Sequence, residues 1–279
     1  MDEDAGSMNR ILDSGASAIV TKSIGLKPRE GYKNPTVVEL EYGILNAMGL
    51  PNPGIDAFKE EIEKIKKSDK IVIGSIFGSN SKEFVELATK MQNFGVDALE
   101  LNMSCPHAKG YGFEIGSDEK VVKKITQDIK QNTNIPVFIK ISPNLTDIVK
   151  IAKAAEKGGV DAIVAINTVK AMKIDLDLKI PVLANKIGGY SGKAIKPIGV
   201  RCVYEISKNI NIPVIGVGGI TTGHDALEYI MAGASAVQIG SAVYYRNVDV
   251  FKEINGEIKT WMKNNGYENL SELIGVAHK

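Results

Sequence analysis

Short, nearly unbroken apolar runs alternate along the chain with longer stretches whose apolar residues recur at helical spacing. The runs are Ala18–Ser23, Ile71–Phe77, Ala98–Met103, Val137–Ser142, Ala162–Asn167, Val214–Gly218 and Ala236–Gly240. They are rich in Val and Ile and nearly all apolar, the pattern of strands buried on both faces. Between them, Asp56–Lys67, Ser81–Phe94, Asp118–Gln131, Thr146–Lys157, Lys196–Lys208 and Asp225–Met231 carry helical periodicity. Strand, helix, strand repeated in this way predicts βαβ units and a parallel sheet.

A finer regularity discriminates between kinds of parallel sheet. Four strands are introduced by a Gly-x-x-Ala phrase: Gly15 to Ala18, Gly95 to Ala98, Gly159 to Ala162 and Gly233 to Ala236. Glycine there suits the left-handed turn that ends a helix. The strands between them enter as Lys70-Ile-Val72, Ile135-Pro-Val137 and Ile212-Pro-Val214. The two phrases alternate strictly. A closed (β/α)₈ barrel has this two-fold alternation, because alternate strands fill alternate layers of its core. An open doubly wound sheet has no reason for it.

The count reaches seven strands and begins on the Gly-x-x-Ala type. The expectation is therefore an α/β TIM barrel whose first strand is missing. Residues 1–14 supply only a polar start and a short helix-like stretch, Met8–Ser14. Two long connections, Ile24–Gly54 and Thr168–Gly192, follow strand ends, where barrel active sites are built. Loops of that length are usually functional or disordered. No linker or second domain is evident, so residues 1–279 read as one barrel domain. The tail Val248–Lys279 reads as helical, closing the outside of the barrel, with Trp261 packing there.

The length of 279 residues suits such a barrel, which takes roughly 250. A net charge of +1 marks no nucleic-acid or acidic-membrane partner. No window approaches the ~20 apolar residues of a membrane span. The acidic, polar start is unlike a secretory signal. Cys105 and Cys202 form neither a metal-ligand spacing nor a disulfide framework. A reducing, cytoplasmic compartment is the natural reading.

Candidate chemistry gathers at the strand ends. The seventh barrel strand ends Gly216-Val-Gly-Gly-Ile220 before the Thr222–Met231 helix, and the last ends Gly240-Ser241. Barrels often bind phosphate with these two loops. Glycines let backbone N–H groups approach an anion, and a helix N-terminus favours negative charge. The other reading is that these glycines only make tight turns. Lys22-Ser23, Asn102, Lys140 and Asn167-Thr168 close four other strands. Polar side chains at the ends of apolar strands are costly unless they face a ligand. Lysines there can hold a carboxylate or the negative charge of a reduced flavin.

Cys105 lies just past a strand end, before Pro106, in a loop with Lys109, Gly110 and Gly112. A lone cysteine is more often a small buried hydrophobe. In this setting a nearby lysine or helix N-terminus would lower its pKa and make it reactive. Cys202 sits within a helix pattern and reads as packing. His107, His224 and His278 form no ligand cluster, so no metal site is expected. Asp147, Asp161 and Asp225 sit at helix starts or strand entries, where capping accounts for them. No G-x-G-x-x-G follows a strand, so a Rossmann-type nicotinamide site is unsupported.

The chain resembles the class 1 dihydroorotate dehydrogenases, especially the type that pairs with an iron–sulfur flavoprotein. The resemblance rests on Thr21-Lys-Ser-Ile-Gly25, Asn46-Ala-Met-Gly-Leu-Pro-Asn52, Asn102-Met-Ser-Cys-Pro106, Lys140-Ile-Ser-Pro-Asn144, Ile166-Asn-Thr168, Gly188-Gly-Tyr-Ser-Gly192, Gly216-Val-Gly-Gly219 and Gly240-Ser241. It implies that FMN is held by Lys22, Ser23, Asn102, Lys140, Ile166, Gly192, Gly218, Gly219, Gly240 and Ser241. It implies that dihydroorotate meets Lys22, Asn46, the backbone of Met48, Gly49 and Leu50, then Asn102, Asn167 and Thr168. Cys105 would be the base that takes the C5 proton while a hydride leaves C6 for the flavin, and Tyr111–Ile115 would belong to a closing loop. The implied role is orotate formation in pyrimidine (UMP) biosynthesis. A second subunit carrying FAD and a [2Fe–2S] cluster would pass electrons to NAD, in a homo-oligomer or heterotetramer.

Two departures stand out. The family has Asn after Ser-Cys-Pro, where this chain has His107, and a substrate role is not carried over to it. The first strand, which in the family contributes a small-residue phrase beside the flavin, is not found; without it the barrel has open edges. Two other readings stay open: a different FMN-dependent oxidoreductase of pyrimidine rings, and an inactive truncated barrel serving as a non-catalytic subunit.

Overall fold

A computed structural model describes residues 3–67, 69–103 and 113–279. In chain order the elements are α1 (Ala5–Asp13), β1 (Ala18–Val20), β2 (Val37–Leu40), β3 (Gly43–Asn46), α2 (Ile55–Ile65), β4 (Ile71–Ile76), α3 (Ser81–Phe94), β5 (Ala98–Asn102), α4 (Phe113–Gly116), α5 (Glu119–Asn132) and β6 (Val137–Ile141). There follow α6 (Ile148–Lys157), β7 (Ala162–Ala165), β8 (Val169–Ala171), β9 (Ile174–Asp175), β10 (Ile180–Pro181), β11 (Gly188–Ser191), α7 (Lys196–Ser207), β12 (Val214–Val217), α8 (Gly223–Met231), β13 (Ala236–Gln238), α9 (Ala242–Arg246) and α10 (Val250–Asn264).

Seven strands form one parallel sheet in the order β1-β4-β5-β6-β7-β12-β13. These are the seven runs expected from the sequence, each one to three residues shorter at its C-terminal end. The shortening has a cause. Where the side chains turn polar, the backbone leaves the ladder and the side chains take over its bonds. Just past β1, for example, the Thr21 hydroxyl accepts the Ser75 N–H at 3.0 Å. The sheet curls. β5 and β13 lie four places apart in the strand order, yet the Gln238 side chain donates to Glu100 at 2.6 Å across the concave side. The architecture is that of an α/β TIM barrel with seven strands, and among the described residues no pairing joins β1 to β13. α10 bridges that opening. Asn255 on it donates to the Gly15 carbonyl before β1 at 3.0 Å, and Glu257 accepts the Gly223 N–H that follows β12.

The glycines of the four strand-entry phrases, Gly15, Gly95, Gly159 and Gly233, all have positive φ. The edges of the sheet differ from its middle. Ala98 and Ala162, on inner strands, are 5% and 4% exposed, whereas Ala18 is half-buried and Ala236 exposed. α1 is longer than the Met8–Ser14 stretch and starts at Ala5, because Asp4 caps it by accepting the Ser7 N–H at 2.8 Å.

The long connections are the main correction to the sequence reading. Both fold into strands: β2, β3, β11 and β8 make a second, antiparallel sheet, and β9 pairs with β10. These strands are two to four residues long and rich in Gly and Pro around them. That length is too short to show an alternation of period two. The sheet has a small core of its own, Leu45, Ala47 and Leu183. It also registers Gly189 opposite Asn46.

Asp147 caps α6 by accepting the Lys150 N–H at 2.9 Å, as expected of it. Asp225 does more than cap. One of its oxygens accepts the backbone N–H groups of Thr221 and Thr222 and the Thr221 hydroxyl, all at 2.9 Å. The other takes Lys196 at 2.8 Å. Burial alone would raise its pKa; the lysine and these donors outweigh burial and bring it down to about 2. A carboxylate depressed from an ordinary 3.8 stabilises the fold fully above a pH of about 4 and loses that contribution as pH falls through about 2. Asp225→Asn is expected to lower stability by about 2 kcal/mol at neutral pH. Urea melts of both proteins across pH 2–7 check this: the gap should close at the acid end, and a gap independent of pH rules the charge out.

Candidate active site

The ends of β4, β5 and β7 and the turn after β1 bring one chain of polar side chains together. Ser75, 2% exposed on β4, shares a hydrogen bond of 2.8 Å with Ser23. Asn102, the last residue of β5, donates to the Ser23 hydroxyl at 3.0 Å. Asn167 donates to the Asn102 carbonyl oxygen at 3.5 Å and accepts the Thr168 N–H at 2.7 Å. Each side chain fixes the rotamer of the next, so the amide groups are presented in defined orientations.

Lys140 lies level with Asn102 in the β5–β6 register. Its Nζ is 3.4 Å from Glu100 Oε1 and donates to Gln238 Oε1 at 3.1 Å. Lys22 pairs with Glu3 at 2.8 Å, so any ligand it binds must compete with that half-exposed carboxylate.

The antiparallel sheet supplies the facing wall. Asn46 donates to the Gly189 carbonyl at 3.4 Å, and a Cβ on Gly189 would lie 2.0 Å from the Thr168 hydroxyl. Asn46 and Thr168 are thus held against the same backbone. Asn52, 7% exposed, ties down the segment after Asn46. Its carbonyl oxygen accepts the Gly25 and Gly54 N–H groups at 3.2 and 2.9 Å, and its amide donates to Leu50 at 3.0 Å. Gly49 and Leu50 both have positive φ, so their peptides are turned away from a regular strand.

The glycine turns form the far end. Gly218 has φ +130 and packs near Ile166 and Ile195; Gly219 has φ +68 and approaches the Gly192 carbonyl. The buried Tyr229 hydroxyl donates to the Gly218 carbonyl at 2.7 Å, which holds that peptide in place. Among the described residues, no acceptor takes the N–H of Gly218, Gly219, Gly240 or Ser241. The Thr222–Met231 helix offers an anion fewer backbone donors than its N-terminus would by itself. At the start of α8 the Thr222 and Gly223 N–H groups are taken by Asp225 and Glu257, and the Asp225 N–H by the Thr222 hydroxyl.

A cavity of about 910 Å³ runs from these strand ends into the opening between β1 and β13, where Ile11, Ala226, Ile230, Ile254 and Ile258 of α1, α8 and α10 line it. Lys22, Ser23, Asn46, Met48, Gly49, Leu50, Asn102, Lys140, Asn167, Thr168 and Gly240 line it. Ile166, Gly192, Gly218 and Gly219 cluster with one another beside it, and Ser241 follows Gly240 directly. Cys105, His107, Lys109, Gly110, Tyr111 and Gly112 lie outside the described residues. The described residues flanking them meet, since a Cβ on Gly116 would lie 1.8 Å from the Met103 carbonyl oxygen.

Three other side chains named in the sequence have packing roles. Cys202 is fully buried in α7, and burial pushes its thiol up to about 11; it packs. Trp261 stacks on Tyr267 with ring centroids 5.8 Å apart. His278 packs edge-on against Tyr204. Among the described residues no group of His, Cys, Asp and Glu could hold a metal ion, and no helix is long and apolar enough to cross a membrane.

Sequence reasoning passed over Glu100, Gln238, Ser75, Asn52 and Tyr229. For Glu100 and Gln238 a signal existed: each is a polar residue in the middle of an apolar strand, Ala98-Leu-Glu-Leu-Asn102 and Ala236-Val-Gln-Ile-Gly240. Tyr229 and Asn52 give none, because their roles depend on which backbone lies beside them.

A family model described as Dihydroorotate dehydrogenase matches residues 1–262. Among curated proteins, the chain is 52% identical to the Dihydroorotate dehydrogenase B (NAD(+)), catalytic subunit of Methanocaldococcus jannaschii, covering 100% of this chain and 92% of that one. The proteins of the same name from Thermoplasma acidophilum and Pyrococcus abyssi are each 53% identical, over 99% and 98% of this chain and 92% and 90% of theirs. With a curled parallel sheet, a polar cavity at its strand ends and matches of this extent, the chain belongs to the dihydroorotate dehydrogenase family.

Proposed function

We propose that this chain oxidises dihydroorotate to orotate with FMN, as the catalytic subunit of a cytoplasmic assembly. One observation carries the reading: two lysines and three amides from separate strands line one cavity together with Gly240, whose N–H, like those of Gly218 and Gly219, has no acceptor among the described residues. The residues fit FMN. Among the described residues no acceptor takes the Gly218 and Gly219 N–H groups, which leaves them to an anion, and packing against Ile195, Gly192 and Lys196 admits no Cβ at either position without a shift. In this reading Gly192, Gly218, Gly219, Gly240 and Ser241 hold the phosphate end, and Lys22, Ser23, Asn102, Lys140 and Ile166 hold the ring. The whole of residues 1–279 acts as one FMN-binding unit, supported by a core that runs without a break from α1 to the C-terminal turns.

Bound FMN would supply a two-electron acceptor. The chain's own residues do the rest. Asn46, Asn102 and Asn167 offer both donors and acceptors to the amide edges of a planar ring. The backbone of Met48, Gly49 and Leu50, held by Asn52, and the Thr168 side chain complete the substrate wall. A lysine meets the substrate carboxylate. Cys105 takes the C5 proton as a positioned base.

Electrons then leave to a partner. The chain has two cysteines, too few for the four thiolates of an iron–sulfur cluster, so a second subunit with FAD and a [2Fe–2S] cluster would carry them to NAD. Ile174, Leu176, Leu178 and Ile180, exposed by 52%, 84%, 67% and 53% on and beside the β9–β10 hairpin, support assembly into a homo-oligomer or heterotetramer.

The test is direct. Dihydroorotate mixed without oxygen with the FMN-loaded protein should bleach the flavin absorbance near roughly 450 nm. Bleaching by dihydrouracil and not by dihydroorotate assigns a different ring substrate. A protein that takes up no FMN is a non-catalytic subunit.

A further inference from the structure

Glu100 is 2% exposed in the middle of β5, between Leu99 and Leu101, both fully buried. Side chains alternate across a strand, so Glu100 and Asn102 share the concave face and the leucines pack under the helices. A carboxylate this deep is unfavourable unless paired and hydrogen-bonded. Its partners are Lys140 and Gln238, and those two also bond each other, closing a triangle of side chains from β5, β6 and β13. All three line the cavity. A lysine ammonium has three N–H donors on a flexible stem. Here two directions are occupied by Glu100 and Gln238, which leaves one for a ligand.

We propose that Glu100 is a positioning residue for the oxidation step: with Gln238 it aims the Lys140 ammonium into the cavity, and its charge offsets the positive field that Lys140 presents to the flavin. This rests on the reading that Lys140 faces FMN. Reduction adds negative charge to the flavin, and a cation beside it favours the reduced form. Glu100 opposes that preference and so lowers the potential of the bound flavin. Glu100→Gln keeps the shape and an oxygen acceptor for Lys140; it removes the charge and puts an NH₂ group where the Gln238 amide now donates.

The experiment measures the reduction potential of bound FMN, together with FMN affinity from titration of the apoprotein. Glu100→Gln should raise the preference for reduced over oxidised flavin roughly tenfold, about 30 mV for a two-electron couple. Lys140→Met should shift it the opposite way. A buried carboxylate left without its cation neutralises, so in the Lys140→Met, Glu100→Gln double variant the potential should match that of Lys140→Met alone. The double variant also removes both buried charges together, so it keeps the test open if Glu100→Gln alone does not fold. An unchanged or lowered potential in Glu100→Gln overturns the proposal, as does a double variant more than roughly threefold away from Lys140→Met. If Lys140→Met leaves both potential and affinity unchanged, the placement of Lys140 at the flavin is what fails.

Discussion

Gly218→Val is expected to leave a folded protein that no longer holds FMN, with affinity reduced by at least about a hundredfold, or roughly 2.7 kcal/mol of binding. Two effects combine at this position. The backbone at φ +130 lies in a region that glycine enters freely and a β-branched residue does not. A Cβ would also sit 3.2 Å from the Tyr229 hydroxyl and 3.3 Å from Ile195, so the peptide must shift, and with it the N–H groups of Gly218 and Gly219, which have no protein acceptor among the described residues. FMN content of the purified protein and titration of the apoprotein measure the loss. Circular dichroism separates it from unfolding, because α8 and β12 should survive. A variant that carries normal flavin would remove these turns from the phosphate site.

Cys105→Ala should cut dihydroorotate oxidation by about 10²–10⁴-fold, the usual contribution of a positioned base, while FMN stays bound. Cys105 follows Asn102 by three residues, and Asn102 is tied through Ser23 to Ser75 and reached by Asn167. The amides and glycine turns that would hold substrate and FMN are untouched by the substitution. Loss of rate with flavin retained therefore reports on proton removal alone. Turnover of the alanine variant within threefold or so of the unmodified enzyme would be incompatible with a thiolate base. A second check is the pH profile: in Cys105→Ser the rate should rise with pH over a range displaced upward, because a hydroxyl gives up its proton far less readily than a thiol.

The order of strands and helices was legible from the sequence because burial on both faces leaves an unmistakable mark, a run such as Ile71–Ile76 with no polar break but Ser75. The strand-entry glycines were legible too, since a positive φ selects glycine at the residue itself. The polar ends were legible as a set: Lys22, Asn102, Lys140 and Asn167 close apolar strands, and closing strands of one parallel sheet face one side. Their partners were not. Glu3 on Lys22, Glu100 on Lys140 and Asn52 on the Gly25 N–H are contacts between residues far apart in the chain, and nothing local encodes them. The antiparallel sheet escaped notice because β3 and β11 are stabilised by pairing with each other, about 140 residues apart in the chain, and not by a periodicity of their own.

From the sequence by itself come the alternating α/β plan, the eight-fold kind of barrel it approximates, and the family, because local burial and glycine chemistry are written residue by residue. Tertiary structure alone decided which donors remain open to an anion. At the start of α8, Asp225 and Glu257 occupy the Thr222 and Gly223 N–H groups, whereas those of Gly218 and Gly240 have no acceptor among the described residues. It also decided that Lys140 arrives already bound by a buried carboxylate. A backbone donor or a lysine carries no local sign of being occupied; occupancy is set by whichever distant side chain the fold brings within about 3 Å.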